Sequence, residues 1–403
     1  MASIKRIFKD HIFNNSLWLI ADSIVLTAFG FFFWTINARL YSPEQVGLAS
    51  TLLASAELLG ALSLIGFDVA LIRYLAASKE KNAMVNSCFS LAGLMAFLIG
   101  SLFVLNINIL YPKLILLKKN IFGILFVMFV LFGTLSSLME TVFIALRKSR
   151  LVFFKDMIFS VLKIVFTFFL VFLGAFGIFS SWMIAVAASF VIGLFFLEYK
   201  LRFEIHKSIV VKMMKFSLSN YLANFLSYAP GLILPLMITH FISPVATAYF
   251  YIAWMITTML FIIPGSIAKS LLAANSAKNS IANLRKSAKF TFVLLVPAAI
   301  AVVLLSKYLL LLFGKGYSEN AFMLLQILAL SSMPYAFNIL YITKKNLEHK
   351  IKHVVLANFA IAFGTLSLSY LFLNHGLIAV GLSWLATQVI AACFTSIALI
   401  KNG

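Results

Sequence analysis

The chain has 403 residues, of which 63% are hydrophobic and only 11% charged, with a mean hydropathy of +1.05. A soluble domain averages roughly 45–50% apolar and 25% charged residues, so an exterior of this composition cannot face water and the solvent must be lipid. The net charge of +20 does not mark a nucleic-acid binder, because the basic residues stand in short runs between apolar stretches. The two cysteines, Cys88 and Cys393, both lie in apolar stretches, which leaves no disulfide framework and no CxxC metal site.

A membrane span needs about 20 apolar residues, with charges, Pro and Gly as punctuation. Behind Lys5, Arg6 and Lys9 the first apolar run is too long for a cleavable signal and lacks a small-residue cleavage site, so an uncleaved span is expected at 15–38. Further spans are predicted at 46–72, 83–111, 120–146, 151–173 and 176–199. After a polar stretch, six more are predicted at 217–241, 246–270, 289–313, 320–343, 351–373 and 376–400. The expected fold is all-α, a polytopic membrane protein of about twelve helices. It divides into an N-terminal six-helix lobe over 1–200, a linker over 201–216 and a C-terminal six-helix lobe over 217–403. No link can hold a soluble domain.

Alternate links collect the positive charge. They carry Lys5/Arg6/Lys9, Arg73/Lys79/Lys81, Arg147/Lys148/Arg150/Lys155, Lys200/Arg202/Lys207/Lys212/Lys215, Lys269/Lys278/Arg285/Lys286/Lys289 and Lys344/Lys345/Lys350/Lys352, ending in Lys401. That puts about 25 of the 32 basic residues on one side, which is therefore expected to be cytoplasmic, with both termini there. The cluster Lys113/Lys118/Lys119 is a local exception on the other side.

The two halves also repeat. Ser42-Pro43 after the first span matches Ser243-Pro244 after the seventh, and Ser181-Trp182 in the sixth span matches Ser383-Trp384 in the twelfth, each about 200 residues later. Six spans followed by six in the same orientation make a parallel repeat about a pseudo-two-fold along the membrane normal, an arrangement suited to a cleft of alternating access.

Ionisable groups at membrane depth are costly and face the protein interior or a wet cavity. Asp22 lies about 9 Å into the first span, placed either to take a proton or cation or to snorkel to the interface. In the second span Ser50, Ala54, Glu57, Ala61 and Asp68 share a direction within about 40°, with Glu57 near the midplane. That stripe reads as a cavity lining or as a small-residue packing seam. Glu140 in the fourth span and Lys163 in the fifth reach similar depth, and the expectation is that they pair. The pair either fixes packing, or holds Lys163 ready for a substrate phosphate. Asp156, Ser160, Lys163 and Thr167 share one helix face. The seventh span carries Ser217, Asn220, Asn224, Ser227 and Gly231 on one stripe and Pro230 and Pro235 inside it, while Pro264 lies late in the eighth. A proline there removes a backbone hydrogen bond and permits a kink, static or mobile. Arg39 and His240, at equivalent span ends, read as interfacial anchors.

Leu40-Tyr41-Ser42-Pro43-Glu44-Gln45-Val46-Gly47, then Ala56-Glu57, Gly66-Phe67-Asp68 and Arg73-Tyr74-Leu75, resemble the polysaccharide-lipid flippases. These are the O-antigen and capsule transporters of the multidrug/oligosaccharidyl-lipid/polysaccharide exporter superfamily. Leu312-Phe313-Gly314-Lys315-Gly316-Tyr317 is similar to that family's link after the ninth span. The resemblance implies a two-lobed secondary transporter of the cytoplasmic (inner) membrane. It would flip a polyprenyl-diphosphate-linked oligosaccharide outward for O-antigen, lipopolysaccharide or related surface glycans. The implied partners are that lipid-linked oligosaccharide, membrane lipids, a coupling proton or sodium ion and other polysaccharide-assembly membrane proteins, with no cofactor and no nucleic acid. On this reading Lys163, Asn220 and Asn224 bind substrate, and Asp22, Glu57 and Glu140 serve ion coupling. A drug-exporting antiporter of the same superfamily is the alternative, and would want acids and aromatic walls without a cationic contact. A membrane-embedded polymerase or acyltransferase is disfavoured, because there is no large outer loop and no His/Asp or Arg-rich site. Nucleotide-binding, metalloprotease and nucleophile-elbow motifs are absent, and there is no room for an ATPase domain.

Overall fold

The computed structural model describes residues 11–273 and 280–401; Lys5, Arg6, Lys9 and Lys278 of the basic runs lie outside them. The described residues form helices and no strands. In the first half these are α1 (His11–Leu40), α2 (Pro43–Leu64), the short α3 (Phe67–Tyr74), α4 (Lys81–Leu105), α5 (Asn120–Ala145), α6 (Ser149–Phe169) and α7 (Ala175–Leu194). The second half holds α8 (Lys207–Phe241), α9 (Pro244–Ala273), α10 (Ser280–Leu311), α11 (Lys315–Leu347), α12 (Ile351–Phe372) and α13 (Leu377–Lys401). Among the described residues eleven helices are long and apolar enough to cross a membrane. The twelfth long helix is α6, whose 21 residues span about 30 Å but include a polar face that is buried rather than turned to lipid. The protein is thus a multi-pass, all-α membrane protein of the expected twelve-helix class. Large exposed apolar side chains such as Phe172, Phe195, Ile109 and Leu304 fit lipid as the outer solvent.

Several boundaries differ from the sequence expectation. The second predicted span is two helices, because Ile65 and Gly66 take positive φ values of 48° and 87°. That break removes Asp68 from the α2 stripe. The seventh helix starts at Lys207, ten residues ahead of the predicted 217, and runs unbroken through Pro230 and Pro235. Pro264 likewise lies inside a continuous α9.

Local chemistry explains the turns that open α2 and α9. Ser42 precedes α2, and its Oγ accepts the Gln45 N–H at 3.3 Å while Gln45 Oε1 accepts the Ser42 N–H at 3.2 Å, a reciprocal capping box. Pro43 then occupies the first helical position, where its missing N–H costs nothing. In the second half Ser243 Oγ accepts the Ala246 N–H at 3.1 Å ahead of Pro244, without the reciprocal bond, since alanine cannot supply it. The repeat recurs at the sixth and twelfth spans. A 3-10 turn at Val171–Leu173 ends in Gly174, and another at Leu373–His375 ends in Gly376, each glycine at positive φ just before α7 or α13.

The chain divides into two compact units. Unit 1 holds Met1–Tyr41 and Leu52–Tyr221, and unit 2 holds Ser42–Thr51 and Leu222–Gly403. Within unit 1 the extended stretch 201–206 is pinned along α4. Asn86 Oδ1 accepts the Arg202 N–H at 3.2 Å, Ser90 Oγ the Glu204 N–H at 3.0 Å, and Ser87 Oγ the His206 N–H at 3.0 Å. Three side chains thus satisfy backbone donors that no ladder would serve. Within unit 2, α11 packs against α9, α10 and α13.

Candidate functional site

The polar face of α6 lies inside unit 1, where the helix packs against α1 and α7. Its Lys155, only 5% exposed, gathers a cluster of acids. The ammonium donates to Glu140 Oε1 at 2.6 Å, Asp156 Oδ1 at 2.8 Å and Ser136 Oγ at 3.2 Å. Asp22 of α1, also buried, lies close to Asp156, while its Oδ1 has no hydrogen-bond partner among the described residues. Two carboxylates therefore share one ammonium, and a third carboxyl, that of Asp22, stands beside them. Asp22 and Glu140 meet here as members of one group, a juxtaposition that sequence reading did not foresee. Lys155 had looked like one more basic residue of its link.

The expected Glu140–Lys163 pair does not form, because Lys155 is closer to Glu140 and takes it. Lys163 instead sits at 1% exposure in an aromatic box. Its ammonium lies 4.4 Å from the Phe159 and Trp182 ring centres and 5.8 Å from Phe33. No acid pairs with it among the described residues. Cation–π contacts contribute about 0.5–2 kcal/mol each, while burying an ammonium costs several kcal/mol, so the box offsets only part of the penalty. Above it, Asn37 donates to Phe33 O at 2.7 Å, and Thr167 Oγ1 donates to Lys163 O at 3.0 Å. Ser160 Oγ and Asn37 Oδ1 are buried with no hydrogen-bond partner among the described residues. Lys163→Met should fill the box without a charge to desolvate. The variant is expected to unfold at the same temperature as the parent or higher, by up to about 1–4 kcal/mol of stability, in thermal unfolding of detergent-solubilised protein.

The α2 stripe proves mixed. Ser50 and Ala54 are buried in packing, whereas Glu57 is exposed and makes no ion pair or hydrogen bond among the described residues. On α8, Ser217 is buried with an unpartnered hydroxyl, Asn220 is half-buried and Asn224 and Ser227 are exposed, with Ser227 Oγ donating to Asn224 O at 2.6 Å. Gly231 of the same stripe faces the Trp254 indole.

Unit 2 contains a polar network that sequence reading passed over. Asn338 of α11 donates to Gln388 Oε1 of α13 at 2.8 Å, and Thr395 Oγ1 donates to Asn338 Oδ1 at 3.0 Å. Trp384 Nε1 donates to Ser331 Oγ at 2.9 Å and packs edge-on to Trp254 at 4.9 Å. Trp182 and Trp384 hold the same position from the start of α7 and α13, and each packs against two other aromatic rings of its unit. Trp182 also faces the Lys163 ammonium, whereas the neighbours of Trp384 are the Trp254 and Phe261 rings and the Ser331 hydroxyl. The signal for Asn338 and Gln388 was available as amides inside spans, of the same kind as Asn220 and Asn224. Where α11 ends, Glu348 binds Lys345 at 2.9 Å and Lys350 at 3.0 Å. Burial pushes its carboxyl up, but hydrogen bonds and charge from the two lysines outweigh that and hold it below the usual carboxylate range.

Twelve long helices in two units, with polar and charged groups buried among apolar spans, define a polytopic helical membrane fold. The chain belongs to the family described as "Polysaccharide biosynthesis protein", whose pattern matches residues 12–273. No curated protein sequence matches it at a significant level. Among solved structures it is similar to the lipid II flippase MurJ in an inward closed conformation. That match has 15% identity and a TM-score of 0.74, covering 95% of this chain and 87% of the other. It is also similar to an inward-facing multidrug resistance MATE family transporter of the MOP superfamily. Here identity is 14% and the TM-score 0.68, over 96% and 94% of the two chains. An outward-facing MATE family transporter matches at 13% identity and a TM-score of 0.62, over 98% and 95%. At these identities the likeness is one of fold, and the proteins that share it are transporters and not enzymes.

Proposed function

We propose that the protein is a secondary transporter that flips a polyprenyl-diphosphate-linked oligosaccharide from the cytoplasmic to the outer leaflet of the cytoplasmic membrane, with both termini in the cytoplasm. The observation that carries this reading is membership of a polysaccharide biosynthesis family in a chain whose fold is that of MOP superfamily transporters. An anionic head group must be shielded from hydrocarbon while its polyprenyl tail stays in lipid, and alternating access achieves that.

The named side chains have distinct roles in this reading. The amides of Asn220 and Asn224 meet sugar hydroxyls. Lys163 meets the diphosphate in a conformation that opens its aromatic box, where a charge-assisted hydrogen bond would replace the ring contacts. Glu140 and Asp156 share Lys155 with Asp22 beside them, and their surplus negative charge is what a coupling proton or sodium ion neutralises. Glu57, exposed and unpaired, is a second coupling carboxylate. Glu57→Gln is expected to change stability by less than about 0.5 kcal/mol, as for a surface change, while lowering ion-driven transport several-fold. Thermal unfolding and uptake into vesicles with an imposed ion gradient check the two halves separately.

A multidrug exporter is the second reading, favoured by the MATE fold and the acids around Lys155. The unpaired Lys163 weighs against it, since a cationic cargo would be repelled. A deletion strain separates the two. The flippase reading expects lipid-linked glycan to accumulate on the cytoplasmic face and surface glycan to be lost. Normal surface glycan with drug hypersensitivity would establish the exporter instead.

A further inference from the structure

Unit 1 has a cavity of about 330 Å³ where the first turns of α8 meet the link 75–80. Its composition is two-sided. The floor is apolar and buried, formed by Met84, Ile209 and Met213. The rim is polar, with hydroxyls from Tyr74, Ser78 and Ser208 and the ammonium of Lys212. Lys212 lies 6.0 Å from the Tyr74 ring centre, and the Arg73 guanidinium lies 5.8 Å from the same ring, so two cations flank one phenol. Ser78 Oγ accepts the Glu80 N–H at 3.1 Å, which leaves the serine proton free to donate. Ser208 stands in the first turn of α8, a helix of 35 residues whose leading N–H groups lack intrahelical acceptors and carry the positive end of the dipole.

One acid, Glu80, belongs to the rim, against Lys212 within it and Arg73, Lys79, Lys81 and Lys207 beside it in sequence. The local field is positive. A soluble phosphate ester would use the rim and leave the methionine floor wet. A ligand that uses both must be amphipathic, with an anionic head and an apolar body. The cavity also lies among the Lys/Arg-rich links, at the level where lipid head groups meet water, and each basic residue near such a surface is worth about 1 kcal/mol toward anionic lipid.

We infer that this cavity binds an anionic phospholipid, its phosphodiester held by Lys212, Ser78 and Ser208 and its glycerol and first methylenes lying over Met84, Ile209 and Met213. The proposal does not depend on which cargo the protein carries. It is tested with the full chain purified in detergent, by counting retained phosphatidylglycerol in native mass spectrometry against phosphatidylcholine as the neutral control. Wild type should retain phosphatidylglycerol in preference to phosphatidylcholine. Lys212→Glu should lower its retention about tenfold by reversing the rim charge. Ala77→Trp, which fills the cavity without changing charge, should lower it similarly, and Lys307→Glu, outside the cavity, should not. Retention at the wild-type level in both Lys212→Glu and Ala77→Trp would overturn the site. Displacement of the lipid by soluble glycerol phosphate at matched concentration would overturn the lipid assignment, by showing that the head group alone suffices.

Discussion

Replacing Lys155 by methionine is expected to destabilise the folded protein by about 3–5 kcal/mol, the cost of leaving buried charges without their partner. The ammonium holds Glu140 at 2.6 Å and Asp156 at 2.8 Å, and Asp22 lies close to Asp156. Without the lysine, the buried Asp22 and Asp156 and the partly exposed Glu140 are left together with no cation to separate their charge. Methionine is unbranched and only one atom shorter than lysine, so lost packing is a minor part of the effect. Adding Glu140→Gln and Asp156→Asn to the same chain should recover most of the loss, because the triple variant has no orphaned ionic partner of Lys155. Thermal unfolding in detergent checks both. An unchanged midpoint in Lys155→Met would show that water reaches these acids and that the cluster does not hold the helices together.

Gly47→Ala should be the second large effect. A Cβ on Gly47 would collide with the carbonyl oxygen of Pro244, and that atom belongs to backbone fixed at the start of α9. Both residues lie in unit 2. Close approach of two helix backbones needs a residue without a side chain, and it permits the hydroxyl chain that follows. Thr51 Oγ1 lies 2.5 Å from Thr239 Oγ1, which lies 2.6 Å from Thr247 Oγ1. Overpacking of a well-packed site costs about 1–3 kcal/mol, and a rigid backbone contact puts this change at the upper end. Reduced expression and a lower unfolding midpoint are the expected readouts, with Gly30→Ala as the control, since no atom lies near its Cβ position.

Much of this fold was legible because membrane spans are long and apolar, so periodicity and charge placement outweigh detail. The Ser-Pro turns and Ser-Trp pairs correctly indicated a repeat. The capping box at Ser42–Gln45 was also readable, as a serine followed three positions on by glutamine. What could not be read was pairing. Lys155 and Lys163 lie two turns apart on α6 at comparable cost to bury, and only packing decides that Lys155 takes Glu140 and Asp156 while Lys163 takes Phe33, Phe159 and Trp182. The break at Ile65–Gly66 was hidden for a related reason. Apolar sequence continues through it, and in lipid a kink costs no hydropathy. The stripe on α2 ends at that break, and along it Ser50 and Ala54 are buried as in a packing seam while Glu57 is exposed, because a shared helical direction says nothing about which stretch meets a neighbour.

The account predicts that this chain alone moves a glycan head group across a bilayer. Purified protein in sealed vesicles containing a polyprenyl-diphosphate oligosaccharide, with a lectin added outside, measures that directly. The prediction is that an imposed proton or sodium gradient brings the inner-leaflet glycans to the lectin, and that Asn220→Ala with Asn224→Ala slows their arrival. Lectin-accessible glycan that stays at the outer-leaflet fraction under both gradients, in vesicles where the protein is folded, would contradict it.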